Sequence, residues 1–353
     1  MTANIRVGIA PNRTPADIEA AFERIVDELT RRGFFGAAIG SATLLGLSAC
    51  GSSDPHRGGS TAPAATRRVD SVHGSIAVPV EPKRIVTLDG FSMAALFDLG
   101  LEPVGVYSAG EQYVEPQFLS RWRGIAKISG GTVGGAVDVE RVAALQPDLV
   151  LGIDAQKPPY EQRRTIAPTV ILPFSASGSP WRDMTQDVAA AVGRTAALDD
   201  LQRRYRTRAE QIRTRYATAL DRTRWDVLQG GFDQGQFWLY GPRSPIGAIL
   251  ADAGVRFATA TAGVTNAQSQ QSVSYEQIGR LTDADAIFYY TTNDDQPANL
   301  GRALFGEALW KGLPAARAGH LFGSVYFLPS GYSDALGALD SLETALKRLD
   351  GAA

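Results

Sequence analysis

The chain has 353 residues, 35 Lys and Arg against 37 Asp and Glu, and a formal net charge of −2. That balance excludes the basic excess of a nucleic-acid-binding protein, and 44% hydrophobic residues exclude a disordered chain. One Cys and three His are too few for a zinc site, a disulfide framework or an iron–sulfur cluster.

The first element is an address. Arg31 and Arg32 sit side by side in Thr30–Phe35, and Asp17–Leu29 before them reads as an amphipathic helix. From Gly33 to Ala49 there is no charge, and Leu47-Ser-Ala-Cys50 closes the stretch. A charged start, an apolar middle and small residues before a cut describe an export signal. The apolar part is shorter than the ~20 residues of a spanning helix. The end resembles a lipobox, in which Cys50 becomes the lipidated first residue of a bacterial lipoprotein. The arginine pair resembles a Tat signal. Residues 1–49 are therefore read as the signal. Residues 50–68, rich in Gly, Ser, Thr and Pro, are read as a flexible tether.

Short apolar runs then alternate with helical patterns, which implies parallel βαβ units. Strands are expected at Ile85–Leu88, Val104–Tyr107, Leu149–Leu151 and Thr169–Leu172, and helices at Ser92–Leu99 and Asp138–Leu145. Gly100 is placed as a helix cap. Met184–Val192 and Ala196–Leu220 carry apolar residues at helical spacing, and the second would be ~38 Å long. The strand pattern restarts at Trp225–Leu228 and returns at Ala286–Tyr290. Helices are expected at Ile246–Ala253 and Ser274–Leu281.

The halves overlay. Leu96-Phe-Asp-Leu-Gly100 matches Leu250-Ala-Asp-Ala-Gly254, and Asp138–Leu145 matches Ser274–Leu281. An aspartate, Asp148 or Asp285, then precedes an apolar strand. The expectation is an N-terminal α/β lobe over 69–182, a helical connector over 183–222 and a C-terminal α/β lobe over 223–353.

Three phrases carry a family resemblance: Pro82-Lys-Arg-Ile-Val86, Glu140–Leu151 and Glu276–Phe288. They resemble the substrate-binding proteins of iron-siderophore, haem and cobalamin ABC importers. The resemblance covers Val69 to Leu349 and implies two doubly wound α/β lobes joined by one long rigid helix, with the ligand cleft between them. It implies a non-enzymatic, monomeric lipoprotein on the extracytoplasmic face of a Gram-positive-type cell membrane. The lipid would be its only membrane anchor, and nucleic acid would not be a partner. The protein would carry a ferric siderophore to an ABC permease dimer with its ATPase and would hold no cofactor or metal of its own. Haem and cobalamin stand as alternative ligands. Similar proteins dock on the permease through one surface glutamate per lobe, which places Glu140 and Glu276 in that role. An acid in a first helical turn is also favoured by the helix dipole alone.

Ligands of open parallel sheets sit beyond the carboxyl ends of strands. The expected wall there is Phe91, Tyr107, Trp181, Phe232, Trp238, Tyr240 and Tyr332, with Tyr113, Lys157, Tyr160 and Tyr290 nearby. Arg182 is expected to pair with anionic chelating oxygens. An esterase is the remaining alternative: Gly90-Phe-Ser-Met-Ala94 is one residue short of a nucleophile elbow, with Ser92 as nucleophile and His320 downstream.

Overall fold

The computed structural model describes residues 65–351, apart from 109, 112–113, 131–135, 155–159, 175–179 and 268. The export signal with Arg31 and Arg32, Cys50, most of the tether, Tyr113 and Lys157 lie outside the described residues.

The described chain opens on an antiparallel hairpin, β1 (Thr66–Ser71) and β2 (Gly74–Pro79). Thr66–Arg68, expected as tether, are thus paired strand. The hairpin is tied to the following lobe. The Val72 amide donates to the Ile171 carbonyl at 2.9 Å, and the Ser71 hydroxyl donates to the same oxygen at 3.0 Å.

The first sheet holds β3 (Ile85–Thr87), β4 (Gly105–Val106), β5 (Ala126–Lys127), β6 (Leu149–Ile153) and β7 (Thr169–Leu172). Its order is β5-β4-β3-β6-β7 and every pairing is parallel. β3, β6 and β7 are buried along their whole length, as expected for strands covered on both faces. The returns are α1 (Gly90–Asp98), α2 (Leu119–Arg123), α3 (Val139–Ala144) and α4 (Tyr160–Arg164).

The connector is α5 (Pro180–Val192), α6 (Thr195–Arg215) and α7 (Ala217–Arg222). The expected single helix is broken at Tyr216, which leaves helical geometry at φ −110°, ψ 25°. Its ring is buried and its hydroxyl donates to Glu343 at 3.1 Å. α6 alone has 21 residues and spans about 31 Å.

The second sheet centres on β8 (Arg224–Gly230). One edge carries β9 (Gln236–Tyr240), then β11 (Gln270–Ser274), with the two-residue β10 (Arg256–Phe257) on β8 itself. The other edge carries β12 (Ala286–Tyr290) and β13 (Leu321–Ser324). β10, β12 and β13 run parallel to their neighbours; β9 and β11 are antiparallel. Its helices are α8 (Pro245–Asp252), α9 (Thr259–Ala262), α10 (Gly301–Gly306), α11 (Ala308–Gly312), α12 (Pro314–Arg317) and α13 (Tyr332–Asp350). Tyr275–Leu281, expected as an α-helix, is 3-10.

The duplication read from sequence has a physical counterpart. Asp148, in front of β6, accepts the amides of Lys83 at 2.7 Å and Arg84 at 2.9 Å, at the entry to β3. Asp285, in front of β12, accepts the amide of Arg224 at 2.8 Å, at the entry to β8. In both lobes this carboxylate joins the two strands that flank the change of direction in strand order. Gly100 and Gly254 close α1 and α8 with φ of 76° and 90°, and each is followed by a return bond, Leu101 to Leu96 at 2.9 Å and Val255 to Leu250 at 3.0 Å.

One apolar core serves both sheets. Ile85, Leu149 and Val170 of the first sheet belong to the same cluster as Trp225, Val227 and Phe288 of the second. α1, α5, α6, α8 and α13 supply the side chains between them, including Leu96, Met184, Leu201, Ile249 and Leu342.

The repeated caps generate a test. Gly100→Ala and Gly254→Ala force L-residues into left-handed geometry, at about 1–2 kcal/mol each. Each variant should unfold about 2–4 °C lower per kcal/mol lost in a thermal melt. An unchanged melting temperature in both would refute the cap assignment.

Candidate ligand cleft

In each lobe two neighbouring central strands send their connections to opposite sides of the sheet, which places a crevice beyond the carboxyl ends of β3 and β6, and of β8 and β12. The loops after β4 and β12 meet. Asn293, after β12, donates its side-chain amide to the Val114 carbonyl, after β4, at 3.3 Å.

On the first lobe, Asp89 follows β3 and caps α1. Its carboxylate accepts the Ser92 amide at 2.7 Å and the Ser92 hydroxyl at 2.8 Å. Burial pushes the Asp89 carboxyl up to about 6, against those bonds. Phe91, next in the turn, is half-buried and tilts against Phe174, after β7, with ring centroids 4.9 Å apart. Tyr107, after β4, is half-buried. Asp154, after β6, accepts the Phe174 amide at 2.9 Å.

On the second lobe, β8 ends at Gly230-Gly231, where backbone packs on backbone. A Cβ on Gly230 would lie 2.1 Å from the Gly301 nitrogen, so only glycine fits. Phe232 follows in the β8–β9 turn and is 68% exposed. Tyr290, at the end of β12, stacks on Phe327 at 5.7 Å. Tyr326 and the exposed Leu328 follow β13.

The structure places four of the expected ligand contacts away from the strand-end loops. Trp181 lies in the first turn of α5 and is fully buried, edge-on to Tyr332 at 4.8 Å and to Tyr205 at 5.3 Å. Tyr332 is 2% exposed in the same cluster. These rings bind the connector to α13, with Trp181 fully enclosed and Tyr332 nearly so. Tyr240 lies within β9, is buried, and accepts from Gln229 at 2.8 Å. Arg182 is paired with Asp252 and donates to the Tyr205 hydroxyl at 3.1 Å, beside α6 and α8. The small flexible residues before Trp181 look like a loop in sequence, but the ring turns inward once the helix starts. Trp238 sits in β9, not in a loop, and is half-buried. Phe91, Tyr107 and Phe232 stand at strand ends as expected. Tyr326, in a 3-10 turn, and Leu328, which caps it, also follow a strand end, and no periodic signal in the sequence marks them.

The elbow geometry of Ser92 is also absent. Its side chain is buried, and its proton is donated to Asp89. His320 precedes β13 and contacts the Asp285 carbonyl at 3.0 Å, at the opposite end of its sheet from the strand-end loops.

Three carboxyl groups meet where the Val114 loop passes the start of α13. Asp334 is fully buried; it accepts Gln117 at 2.6 Å and the Ser330 amide at 2.8 Å. Asp98, at the end of α1, accepts the Ser333 amide at 3.1 Å and also its hydroxyl. Glu115, next to Val114, completes the group. Burial raises all three, with Glu115 reaching about 7 and Asp98 and Glu115 each pushing Asp334 higher.

The periplasmic binding protein family model matches residues 85–327, and the chain belongs to that family. A solved siderophore periplasmic binding protein from the fuscachelin gene cluster of Thermobifida fusca is 30% identical. It superposes with a TM-score of 0.66 over 76% of this chain and 97% of that one. A probable siderophore-binding lipoprotein of Bacillus subtilis, YfiY, is 28% identical over 84% of this chain and 93% of its own. The iron(3+)-hydroxamate-binding protein YxeB of the same organism is 24% identical over 72% of this chain and 77% of its own.

The acid cluster makes stability depend on pH with a definite sign. A carboxyl raised on folding holds its proton longer in the folded state, so its contribution is full below the ordinary carboxylate range and is lost as pH rises to about 7. Glu115→Gln removes that titration and should stabilise the protein by about 1 kcal/mol at pH 7.5, with little change at pH 4.5. Denaturant melts at both pH values check this. Equal changes at the two would contradict the cluster.

Proposed function

We propose that the protein captures a ferric siderophore between the strand-end loops of its two lobes and delivers it to an ABC permease, without catalysing a reaction. The observation that carries this reading is the set of half-buried and exposed aromatics at or just after strand ends of both sheets, Phe91, Tyr107, Phe174, Phe232 and Tyr290, in a chain of this family. Aromatic faces contact the organic shell of a chelate, while the chelator itself saturates the iron. The names of YfiY, YxeB and the Thermobifida fusca protein support the ligand class. Trp238 is proposed to flank the site.

Purified protein should quench its tryptophan fluorescence when titrated with at least one ferric siderophore. Phe91→Ala should weaken that binding about 5–30-fold, as expected for loss of an aromatic contact worth about 1–2 kcal/mol. Absence of binding below about 100 μM to any ferric chelate, with haemin and cobalamin as controls, would sink the reading.

The lipid anchor at Cys50, the Tat-type signal and the monomeric state are part of the same proposal. So is permease docking through Glu140 and Glu276. Both glutamates are exposed, one in the first turn of α3 and one in the first turn of the 3-10 segment Tyr275–Leu281. In cells, Glu140→Arg with Glu276→Arg should abolish most siderophore uptake while leaving affinity unchanged. Cys50→Ala should release the protein from the membrane fraction. Normal uptake by the double variant would make these glutamates helix-start residues only, and retention of Cys50→Ala in the membrane would refute lipid anchoring.

A further inference from the structure

The chain that follows β12 folds into a small hairpin over residues 291–297. Thr291 and Pro297 form an antiparallel bridge, and the Thr292 amide donates to the Gln296 carbonyl at 2.8 Å. The tip is the three-residue loop 293–295. The Asp295 amide donates to the Thr292 carbonyl at 3.0 Å, and Asp295 itself closes the turn with φ 58°. A turn followed by one left-handed residue is a common build for such a loop, and Asp tolerates that geometry. Both feet of the hairpin are fixed. The Thr291 amide donates to the Ser324 carbonyl of β13 at 3.1 Å, and the Leu300 amide donates to the Gly231 carbonyl beyond β8 at 3.1 Å. Arg302 donates to the Gln296 side chain at 2.8 Å.

The tip is held differently. Residues 292–295 are polar and exposed, so no apolar side chain anchors it. It reaches the first lobe through Asn293, whose side-chain amide donates to the Val114 carbonyl at 3.3 Å, just beyond the usual hydrogen-bond range. The receiving segment is firm. Val114 is buried with Met93, Phe97, Phe118 and Trp122, and Gln117 donates to Asp334 of α13 at 2.6 Å. Fixed feet, a polar tip and a firm receiver, joined by a long bond, are the parts of a clasp. We propose that the hairpin 291–297 is a clasp across the cleft, latched by Asn293 on Val114, that opens to admit a ferric chelate and closes to retain it. Entry and exit both pass through the open state. The latch joins protein groups with or without chelate, so weakening it raises both rates by the same factor and leaves affinity nearly unchanged. A side chain that touches the chelate behaves otherwise: its loss raises the exit rate alone and weakens affinity by the same factor. The clasp rests on the siderophore reading above and adds a gate to it.

The test uses the mature protein and four probes, ferrioxamine B, ferrichrome, ferric enterobactin and ferric citrate, and follows the tightest binder by stopped-flow tryptophan quenching. The observed rate against probe concentration gives kon as its slope and koff as its intercept. Asn293→Ala should raise kon and koff each about three- to tenfold, the share of one lost neutral hydrogen bond, with Kd changed less than about twofold and the melting temperature unaltered. Asn293→Asp, which sets a carboxylate against the Val114 carbonyl, should speed both rates at least as much. A rise in koff with kon unchanged, and Kd weakened by the same factor, would make Asn293 a chelate contact and overturn the clasp. Unchanged rates in both variants would overturn it too. Either result leaves the siderophore reading standing. Binding of none of the four probes would overturn both.

Discussion

The structure depends on one constraint, the apolar cluster that joins the inner faces of both sheets through the connector and the C-terminal helix. Ile85 and Leu149 on one side and Trp225 and Phe288 on the other pack into a single core. The layer between them is made by α5, α6, α8 and α13. Trp181, Tyr205 and Tyr332 pack edge-on within it, so the lobes cannot separate there without opening this cluster. Burial of three large rings contributes several kcal/mol at about 25 cal/mol per Å². With that face closed, the strand-end loops of the two sheets meet on the other, where Asn293 reaches Val114. That contact is a polar one.

The architecture was largely legible because repeated local rules carry it. β3, β6 and β7 are buried apolar runs. Gly100 and Gly254 are placed where left-handed backbone is needed. Asp148 and Asp285 precede strands because each accepts backbone amides of the neighbouring strand's entry. These features are local or nearly so, and leave marks at fixed offsets. The antiparallel β9 reads as loop although Phe237, Trp238 and Tyr240 favour strands; the short Gly-rich stretch before it gives no sign of the tight turn that folds Gln236–Tyr240 back on β8. The kink at Tyr216 depends on Glu343, more than a hundred residues away, and no local pattern announces it.

The site was less legible than the fold for the same reason. Strand ends can be located from sequence, but the direction of a ring cannot. Trp181 and Phe91 both follow small or polar residues near a strand end. One turns into the core between helices, and the other stays half-buried beside Phe174. Likewise, Arg182 is close in sequence to a strand-end loop, yet the first turn of α5 carries it to Asp252. The acid group of Asp98, Glu115 and Asp334 is similar. Its members lie far apart in the chain, and it forms where a cleft loop crosses the start of α13.

The central claim is that iron chelate occupies the space between the two sets of strand-end loops. Its most direct measurement is an anomalous difference map, collected at the iron edge, from crystals grown with a ferric siderophore that binds in the fluorescence titration. The account predicts one strong iron peak between the Phe91 and Tyr290 loops, with no protein atom in its coordination sphere. A peak beside the connector helices near Arg182 and Asp252, or iron bound directly by protein side chains, would contradict it.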